Sequence, residues 1–252
     1  MIRRITPSAL DRESLSSLVV NPAQLADDGT DYVNLFIKKP WGGEYLTFQN
    51  PQVAVWILHI TENNNTSLHC HLSKKTSLIV LGGKVAITLL DEVINLQAGD
   101  GLFLDAGVFH STRAISAGGA IVMETETPIN KRDLIRLEDN YGREKKGYEG
   151  KEFHANPIDI MRQEFHNEWE RYNTEKIVGE CGLMILKHSC VDEVIKTAKA
   201  FNPTVLGLLS GTVKINGGDA FWPGDVLNWS EANGFAILDE AEVLLIRNIN
   251  NK

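Results

Sequence analysis

The sequence predicts an all-β protein made of two β-barrels, with a helical arm before the first barrel and a helix between the two. Many short apolar runs of strand length alternate with Gly, Asn and Asp turns, which is typical of a β-sandwich or barrel. The second half also echoes the first, since residues 211–215 resemble residues 83–87 and residues 223–225 resemble residues 98–100. This repeat predicts two similar barrels in one chain.

The predicted domains follow changes in composition along the chain. Four segments are expected: a helical arm over 1–30, a first barrel over 31–135, a charged linker and helix over 136–171, and a second barrel over 172–252. Thr6 and Pro7 predict the start of the arm helix, as its N-cap and its first helical residue. Asn156 predicts the N-cap of the linking helix.

The composition limits the expected partners. The 252 residues carry a formal net charge of −8, so nucleic acid and anionic lipid are not expected to bind. No apolar run reaches the roughly 18 residues that a membrane span needs, and the first residues lack the apolar core of a signal peptide. The three cysteines form no disulfide framework. We therefore expect a reduced, cytoplasmic protein that binds a small molecule.

Three histidines are candidate metal ligands. His69 and His71 are spaced i, i+2 on a predicted strand, so their side chains share one face and lie roughly 6–7 Å apart along the chain. Cys70 points to the other face and is expected in the core. His110 follows a second glycine turn at Gly107. The alternative is that these are ordinary histidines of a β-sheet, but three of them in register with glycine turns favour a metal site.

The positions of these residues resemble the double motif of the cupin superfamily. Six residues match that pattern: His69, His71, Gly83, Gly99, Gly107 and His110. The resemblance implies that the barrels are jelly rolls, so a chain with two of them is expected to be a bicupin. The resemblance also implies that the three histidines bind metal. Thr76 stands where the family has a glutamate ligand, and Asp105 stands where it usually has proline.

The second half is predicted to lack such a site. When the two halves are aligned on their similar segments, the residues that correspond to the three histidines are Thr197, Lys199 and Phe235. None of these side chains is a convincing metal ligand, so one metal ion per chain is expected.

A closer resemblance covers residues 38–144. Four motifs occur there in order: Lys39-Pro40-Trp41-Gly42, Ser67-Leu68-x-x-His71, Gly99-Asp100 followed by Ala106-Gly107-x-x-His110, and Asp133 to Arg143. They are similar to motifs of the C-terminal isomerase domain of bacterial mannose-1-phosphate guanylyltransferase/phosphomannose isomerase proteins. The resemblance implies a role like that of type II mannose-6-phosphate isomerases in carbohydrate metabolism. The departures lie in the site, where Lys74 replaces the family's arginine and Thr76 its glutamate.

Three imidazoles without a carboxylate leave a divalent ion with its full charge and open coordination positions. Imidazole ligands suit Zn, Fe, Ni or Cu, and the cupin resemblance also allows Mn, so Zn, Fe, Mn or Ni is expected. The ion would polarise a carbonyl for aldose–ketose isomerisation. Glu124 and Glu126, which share one strand face, are the candidate bases. Lys74, expected at the pocket rim, and Arg136 are the candidates for holding a phosphate. The alternative is that both glutamates are solvated and that Arg136 forms a surface salt bridge.

The same residues fit two other functions, so enzyme activity is left open here. A three-histidine Fe(II) site can bind substrate and O₂ together, as in some cupin dioxygenases. A non-catalytic sugar-binding cupin would use the ion only to organise its pocket. The cupin resemblance also implies a homodimer, with the N-terminal arm as a candidate for exchange between subunits.

Overall fold

The computed structural model describes residues 1–20, 22–27, 29–143, 147–155, 172–188, 191–214, 220–232 and 236–250. The strands of the first half are β1 (Ile2–Ile5), β2 (Phe36–Lys39), β3 (Gly42–Gln49), β4 (Ala54–Ile60), β5 (Leu68–Cys70), β6 (Lys75–Gly82), β7 (Lys84–Thr88), β8 (Val93–Gln97), β9 (Gly101–Leu104), β10 (Ser111–Ala114), β11 (Ala120–Thr127), β12 (Ile135–Glu138) and β13 (His154–Ala155). The strands of the second half are β14 (Lys176–Val178), β15 (Cys181–His188), β16 (Val205–Ser210), β17 (Val213–Lys214), β18 (Ala220–Phe221), β19 (Val226–Asn228), β20 (Ala236–Ile237) and β21 (Ala241–Asn248).

Helical structure is sparse in the described parts of the chain, which confirms the all-β prediction. The helical segments there are α1 (Ala9–Ser17), α2 (Pro22–Leu25), α3 (Val191–Phe201) and the 3-10 turns Lys151–Phe153 and Trp229–Glu231. None of these described helices is long and apolar enough to cross a membrane.

An eight-stranded sheet in the order β1-β9-β6-β11-β4-β3-β2-β13 lies between the two halves of the chain. Both of its faces are buried. On β4, Trp56 and Leu58 point into the first barrel, whereas Val55 and Ile57 pack in a cluster with residues of the second half. Burial on both faces explains why β4 is a continuous apolar run rather than an alternating one.

Two smaller sheets, β10-β7-β8 and β12-β5, cover the inner face of the central sheet. Val85 and Ile87 of β7 pack against that face in an apolar core. Along β11 the inward positions change character, from Val122 to the buried Glu124 and Glu126. One end of the barrel interior is therefore apolar and the other end is charged.

The second half repeats the strand order of the first. The larger sheet of the second half has the order β19-β16-β21-β15, which matches β9-β6-β11-β4 in the first half. Its smaller sheet has the order β18-β17-β20, which matches β8-β7-β10. Gly211 and Gly224 form the turns that Gly83 and Gly99 form in the first half, and all four have positive φ angles. The echoes in the sequence thus coincide with equivalent turns.

The spacing of the three histidines was transferred to the second half as if the same strands were present there, and this transfer is wrong. Thr197 and Lys199 lie on α3, which connects β15 to β16 at the place where the first half has the histidine strand β5 between β4 and β6. A helix has replaced a strand there, so a strand register cannot be transferred. Phe235, the third position, lies outside the described residues.

The N-terminal arm is only partly helical. Ile2–Ile5 form β1, which pairs in parallel with β9. The N-cap of α1 is Ser8 rather than Thr6, and Pro7 precedes it. The Ser8 hydroxyl accepts from the Asp11 amide at 3.1 Å, and the Asp11 carboxylate accepts from the Ser8 amide at 2.7 Å. This capping box satisfies donors that the start of a helix leaves open.

Part of the segment predicted as a charged linker contributes to the sheets. Arg136 lies on β12, which pairs with the histidine strand β5, and β13 joins the edge of the central sheet beside β2. Four of the charged residues described in this segment, Arg136, Asp139, Arg143 and Glu149, are buried in ion pairs, whereas Glu138, Lys151 and Glu152 are exposed. The linking helix predicted to begin at Asn156 lies outside the described residues.

Candidate metal centre

Backbone pairing brings His69 and His110 together. The His69 amide donates to the His110 carbonyl at 3.0 Å, and the His110 amide donates to the His69 carbonyl at 2.8 Å. A hydrogen-bonded antiparallel pair of this kind holds its Cα atoms about 5.5 Å apart. The two imidazole rings consequently lie side by side, with centroids 4.4 Å apart.

His71 lies just past the end of β5, and a glycine turn holds its backbone. Gly107 has a φ of 86°, a conformation that residues with a side chain rarely adopt. Its amide donates to the His71 carbonyl at 2.7 Å. The His71 ring comes within 5.1 Å of the His69 ring and 5.5 Å of the His110 ring, measured between centroids.

Asp133 fixes the bend that follows His71. Its carboxylate accepts from the amides of residues 72–74 at 2.8–3.0 Å and from the Ser73 hydroxyl at 2.8 Å. Its backbone carbonyl faces Nδ1 of His71. Asp133 was quoted above only as a motif residue, without a role. The structure makes it the main support of His71.

The hydrogen bonds of the three rings decide which nitrogen can bind metal. Each Nδ1 lies against a backbone carbonyl: His69 against Ser67 at 2.8 Å, His71 against Asp133 at 2.5 Å, and His110 against Val108 at 3.1 Å. Because a carbonyl only accepts, each Nδ1 carries the proton and each Nε2 keeps a free lone pair.

The three ligand atoms fit one divalent ion. They lie within 4.8 Å of one another, in the one such cluster of His, Cys, Asp or Glu found among the described residues. His71 Nε2 is buried and has no hydrogen-bond partner in the described part of the chain. An unpartnered buried nitrogen is costly, and a metal ion at this point would satisfy it. His69, His71 and His110 therefore form a buried group that can hold a metal.

The environment keeps all three imidazoles neutral. Burial lowers the pKa of His69 and of His71 well below the ordinary value, and the charge of Lys74 adds to the effect at His71. Burial also lowers the pKa of His110 to about 4. Neutral imidazole is the form that binds metal, so the site is ready for an ion at neutral pH.

We expect the metal-free protein to lose stability as the pH falls below about 6.5. The folded pKa of each histidine is lower than the unfolded value, so below pH 6.5 the unfolded chain takes up protons that the folded chain excludes. Stability is thus fully present above this pH and decreases towards the folded pKa. For His110 the loss is about 2 kcal/mol between roughly pH 6.5 and pH 5.

Urea unfolding of chelator-treated protein at a series of pH values measures this dependence. Replacing His110 with glutamine removes one titrating group and should flatten the curve. A free energy of unfolding that stays constant from pH 7 to pH 5 would show that the histidines are not buried as described.

Thr76 occupies the position of the cupin glutamate. It lies on β6 opposite Glu126 of β11 and is 1% exposed. Its hydroxyl has no hydrogen-bond partner among the described residues. Thr76 does not line the cavity next to the triad, so no carboxylate or hydroxyl from this position completes the donor set.

Lys74 was predicted to lie at the rim of the pocket, but the structure places it in the interior. It is 1% exposed, and its ammonium is paired with the Glu126 carboxylate, which also accepts from Trp56 Nε1 at 2.9 Å. Burying an ammonium requires such a partner, and the inward face of β11 supplies it. Lys74 and Glu126 are therefore committed to each other at the base of the cavity.

Of the two predicted bases, Glu124 is the one that lines the cavity. Its Oε1 lies 3.9 Å from Lys131 Nζ, which is also 3.4 Å from Glu44. Burial raises the pKa of Glu124 and outweighs the opposing charges of Lys131 and Lys74. By contrast, Lys131 and Lys39 outweigh burial at Glu44 and lower its pKa to about 2. The two buried carboxylates are thus tuned in opposite directions.

Arg136 forms a buried ion pair rather than a surface salt bridge. Its Nη2 lies 3.2 Å from Glu149, and its Nη1 donates to the Gly147 carbonyl at 2.6 Å. Arg143 also contacts Glu149, at 2.5 Å, and Asp139, at 2.6 Å.

Five charged residues and one tyrosine of the site were missed as functional candidates: Lys39, Glu44, Lys131, Arg143, Tyr148 and Glu149. Lys39 and Arg143 stand in the first and the last of the four sequence motifs, which was an available signal. The other four carry no local signal, because their burial depends on partners far away in the chain.

The cavity beside the triad is small and strongly charged. Its volume is about 50 Å³, and one water molecule needs at least about 10–15 Å³, so an ion and a few waters fill it. Five cationic side chains line it against three carboxylates: Lys39, Lys74, Lys131, Arg136 and Arg143 against Glu44, Glu124 and Glu149. Glu126 and Asp139 pair with two of these cations from behind. The side chains that line the cavity thus include two more cations than carboxylates, and the two carboxylates behind them balance the total.

No protein-family profile and no curated protein matches the chain. Several solved structures do. KdgF from Halomonas sp. matches at 16% identity over 40% of this chain and 94% of its own, with a TM-score of 0.36. The capsular polysaccharide assembling protein CapF from Staphylococcus aureus matches at 16% identity over 41% of this chain and 34% of its own, with a TM-score of 0.37. A sugar phosphate isomerase from a cupin superfamily of Silicibacter pomeroyi matches at 16% identity over 31% of this chain and 52% of its own, with a TM-score of 0.30. The chain thus spans about a third to a half of the last two proteins.

Proposed function

We propose that this chain is a bicupin whose first barrel binds one divalent metal ion at His69, His71 and His110 and isomerises a phosphorylated sugar. The observation that carries the proposal is the convergence of three Nε2 atoms beside a buried carboxylate of raised pKa, Glu124. The shared strand order of the two halves supports the bicupin description. Zn, Fe, Mn or Ni suits the imidazole donors.

A divalent ion held by His69, His71 and His110 would polarise a carbonyl and its neighbouring hydroxyl. Glu124 would accept the proton from the carbon next to that carbonyl, through the oxygen that does not face Lys131, and return it to the former carbonyl carbon, while the hydroxyl proton passes to the former carbonyl oxygen. A buried carboxylate whose pKa is raised above its ordinary value is suited to both steps. Glu126 is held by Lys74 and Trp56, so we assign it to structure rather than to proton transfer.

The cavity admits the reacting end of the sugar and not the whole molecule. Its volume of about 50 Å³ is filled by an ion and a few waters. The carbonyl end would displace those waters, and the phosphate would lie among the cations that line the cavity. An excess of positive charge on this lining favours an anionic substrate.

Replacing Glu124 with glutamine tests the proposal. We expect turnover of the active sugar phosphate to fall by about 100-fold or more, with affinity changed only slightly, because the variant keeps the shape and loses the base. Metal-loaded protein is first titrated by calorimetry with a panel of aldose and ketose phosphates. Exchange of the sugar C2 hydrogen with D₂O, followed by NMR, then measures proton transfer.

The matched control is Glu92→Gln, because Glu92 pairs with Arg3 on the surface, and turnover should not change. Absence of binding by any sugar phosphate at millimolar concentration would refute the proposal. Binding without exchange would leave a sugar-binding protein, and oxygen uptake by the Fe(II) form would point to a dioxygenase.

A further inference from the structure

Three cations converge on one carboxylate beside the triad. Lys39 Nζ contacts Glu149 Oε2, whereas Arg136 Nη2 lies 3.2 Å and Arg143 Nη1 lies 2.5 Å from Glu149 Oε1. The side chains of Lys39, Arg136 and Glu149 are only 3–4% exposed, and that of Arg143 is 10% exposed. We refer to Lys39, Arg136 and Arg143 as the cation cradle.

The cradle has the donor geometry of an anion site. Two guanidinium groups meet one oxygen and an ammonium meets the other, which is how a phosphate or carboxylate of a ligand would be held. Burial raises the pKa of Glu149, but the charges of Lys39 and Arg136 outweigh it, so the pKa lies below the ordinary value. Glu149 is therefore an anion in this position at neutral pH.

The cradle lines the same cavity as His69 and His71 of the triad. Arg136 on β12 stands directly opposite His69 on β5 in the antiparallel pair. Opposed residues in such a pair have Cα atoms about 4.5–5.5 Å apart. A single small molecule can consequently reach an ion on the triad with one end and the cradle with an anionic group at the other.

The segment that carries Glu149 has few attachments to the barrel. Gly147 and Gly150 flank Tyr148 and Glu149 in the sequence, and glycine permits backbone rearrangement at low steric cost. Among the described residues that follow, β13 joins the central sheet through two residue pairs. The main anchors near Glu149 are its own ion pairs, the hydrogen bond from Arg136 to the Gly147 carbonyl, and the Tyr148 side chain, whose hydroxyl donates to Glu44 and whose ring packs against Tyr32.

We propose that Glu149 is an internal substitute for the anionic group of the substrate, and that a phosphate or carboxylate group binds in the cation cradle by displacing it. Without a ligand, Glu149 helps to neutralise three buried cations that would otherwise be destabilising. Glu44 shares this role at Lys39, and Asp139 shares it at Arg143. A ligand anion replaces that charge, and Tyr148 and Glu149 move out of the cavity together. The inference rests on the proposed function at one point, which is that the other end of the ligand binds at the triad.

Glu149→Gln is the informative variant, because glutamine keeps the size of the side chain and removes its charge. Calorimetry of metal-stripped protein with inorganic phosphate is expected to show at least about tenfold tighter binding to the variant than to the unsubstituted chain. Adding Arg136→Gln to this variant should abolish the gain. A parallel titration with acetate separates a cradle selective for phosphate from one that also takes carboxylates, and a gain in either titration supports the proposal.

Glu175→Gln is the matched control. Glu175 also pairs with an arginine, Arg247, at 2.7 and 2.8 Å, but on the surface of the second half. Its loss changes the net charge equally and should leave phosphate affinity unchanged.

If Glu149→Gln folds poorly, its unfolding temperature should rise more with added phosphate than that of the unsubstituted chain, since a ligand that binds the folded state stabilises it. Equal affinity in the variant and the unsubstituted chain for both phosphate and acetate, or a gain that persists without Arg136, would overturn the proposal. Because these titrations use neither metal nor sugar, their failure is distinct from a failure of isomerase activity.

Discussion

Replacing His71 with alanine is expected to leave the protein without stoichiometric metal, whereas the unsubstituted chain should purify with one equivalent. His71 supplies one of three Nε2 donors, and the substitution leaves only two imidazoles. Loss of a residue that merely supports a ligand costs about 10–100-fold in affinity, so loss of the ligand itself should cost more. Elemental analysis of both proteins after dialysis measures the difference.

His59→Ala is the matched control for this variant. His59 lies on β4 and stacks on Tyr45 with ring centroids 5.9 Å apart, on the sheet face that is turned away from the triad. It should retain metal, and added metal should raise its unfolding temperature as in the unsubstituted chain. One full equivalent in His71→Ala would remove His71 from the site. Two equivalents in the unsubstituted chain would contradict a single site.

The triad was predictable from sequence because its geometry is set by local rules. The period of a strand places His69 and His71 on one face, although β5 ends at Cys70 and His71 lies just beyond it. The positive φ of Gly107 turns the chain so that His110 returns beside His69. Each step depends on residues close in sequence, and resemblance to a known double motif joins the two parts.

The charges around the triad were predicted less well, because their state depends on distant partners. Lys74 looks like a rim residue in sequence, yet it pairs with Glu126 on another strand. Arg136 finds its carboxylate at Glu149, in a segment with no distinctive pattern. A lysine or glutamate in a sequence is usually exposed, and only tertiary structure shows which ones are paired and buried.

The helix in the second half is a different kind of error, because the signal was present. Val194, Ala198 and Phe201 are spaced as on one helix face, and all three are buried in the core of the second half. This period favours a helix over a strand. The prediction followed the similarity between the two halves instead of this helical spacing. It therefore placed Thr197 and Lys199 on a strand, where the chain has a helix.

Asp133→Ala is expected to cause the largest loss of stability of any single change at the site. The carboxylate of Asp133 is 1% exposed and accepts hydrogen bonds from three successive amides and one hydroxyl after His71. Leaving a buried amide without an acceptor costs about 1–3 kcal/mol, so several kcal/mol should be lost. Urea unfolding of metal-free protein measures this loss.

The same variant should also weaken metal binding, and a surface aspartate provides the comparison. The backbone carbonyl of Asp133 orients the His71 ring, and its position depends on the docked carboxylate, so metal affinity should fall by about 10–100-fold. Asp105 pairs with the exposed Arg4 at 2.9 Å, and Asp105→Ala should change stability by less than about 1 kcal/mol and leave metal affinity unchanged. If Asp133→Ala proved as stable and as metal-rich as Asp105→Ala, the bend after His71 would be held by other contacts, and Asp133 would have no positioning role.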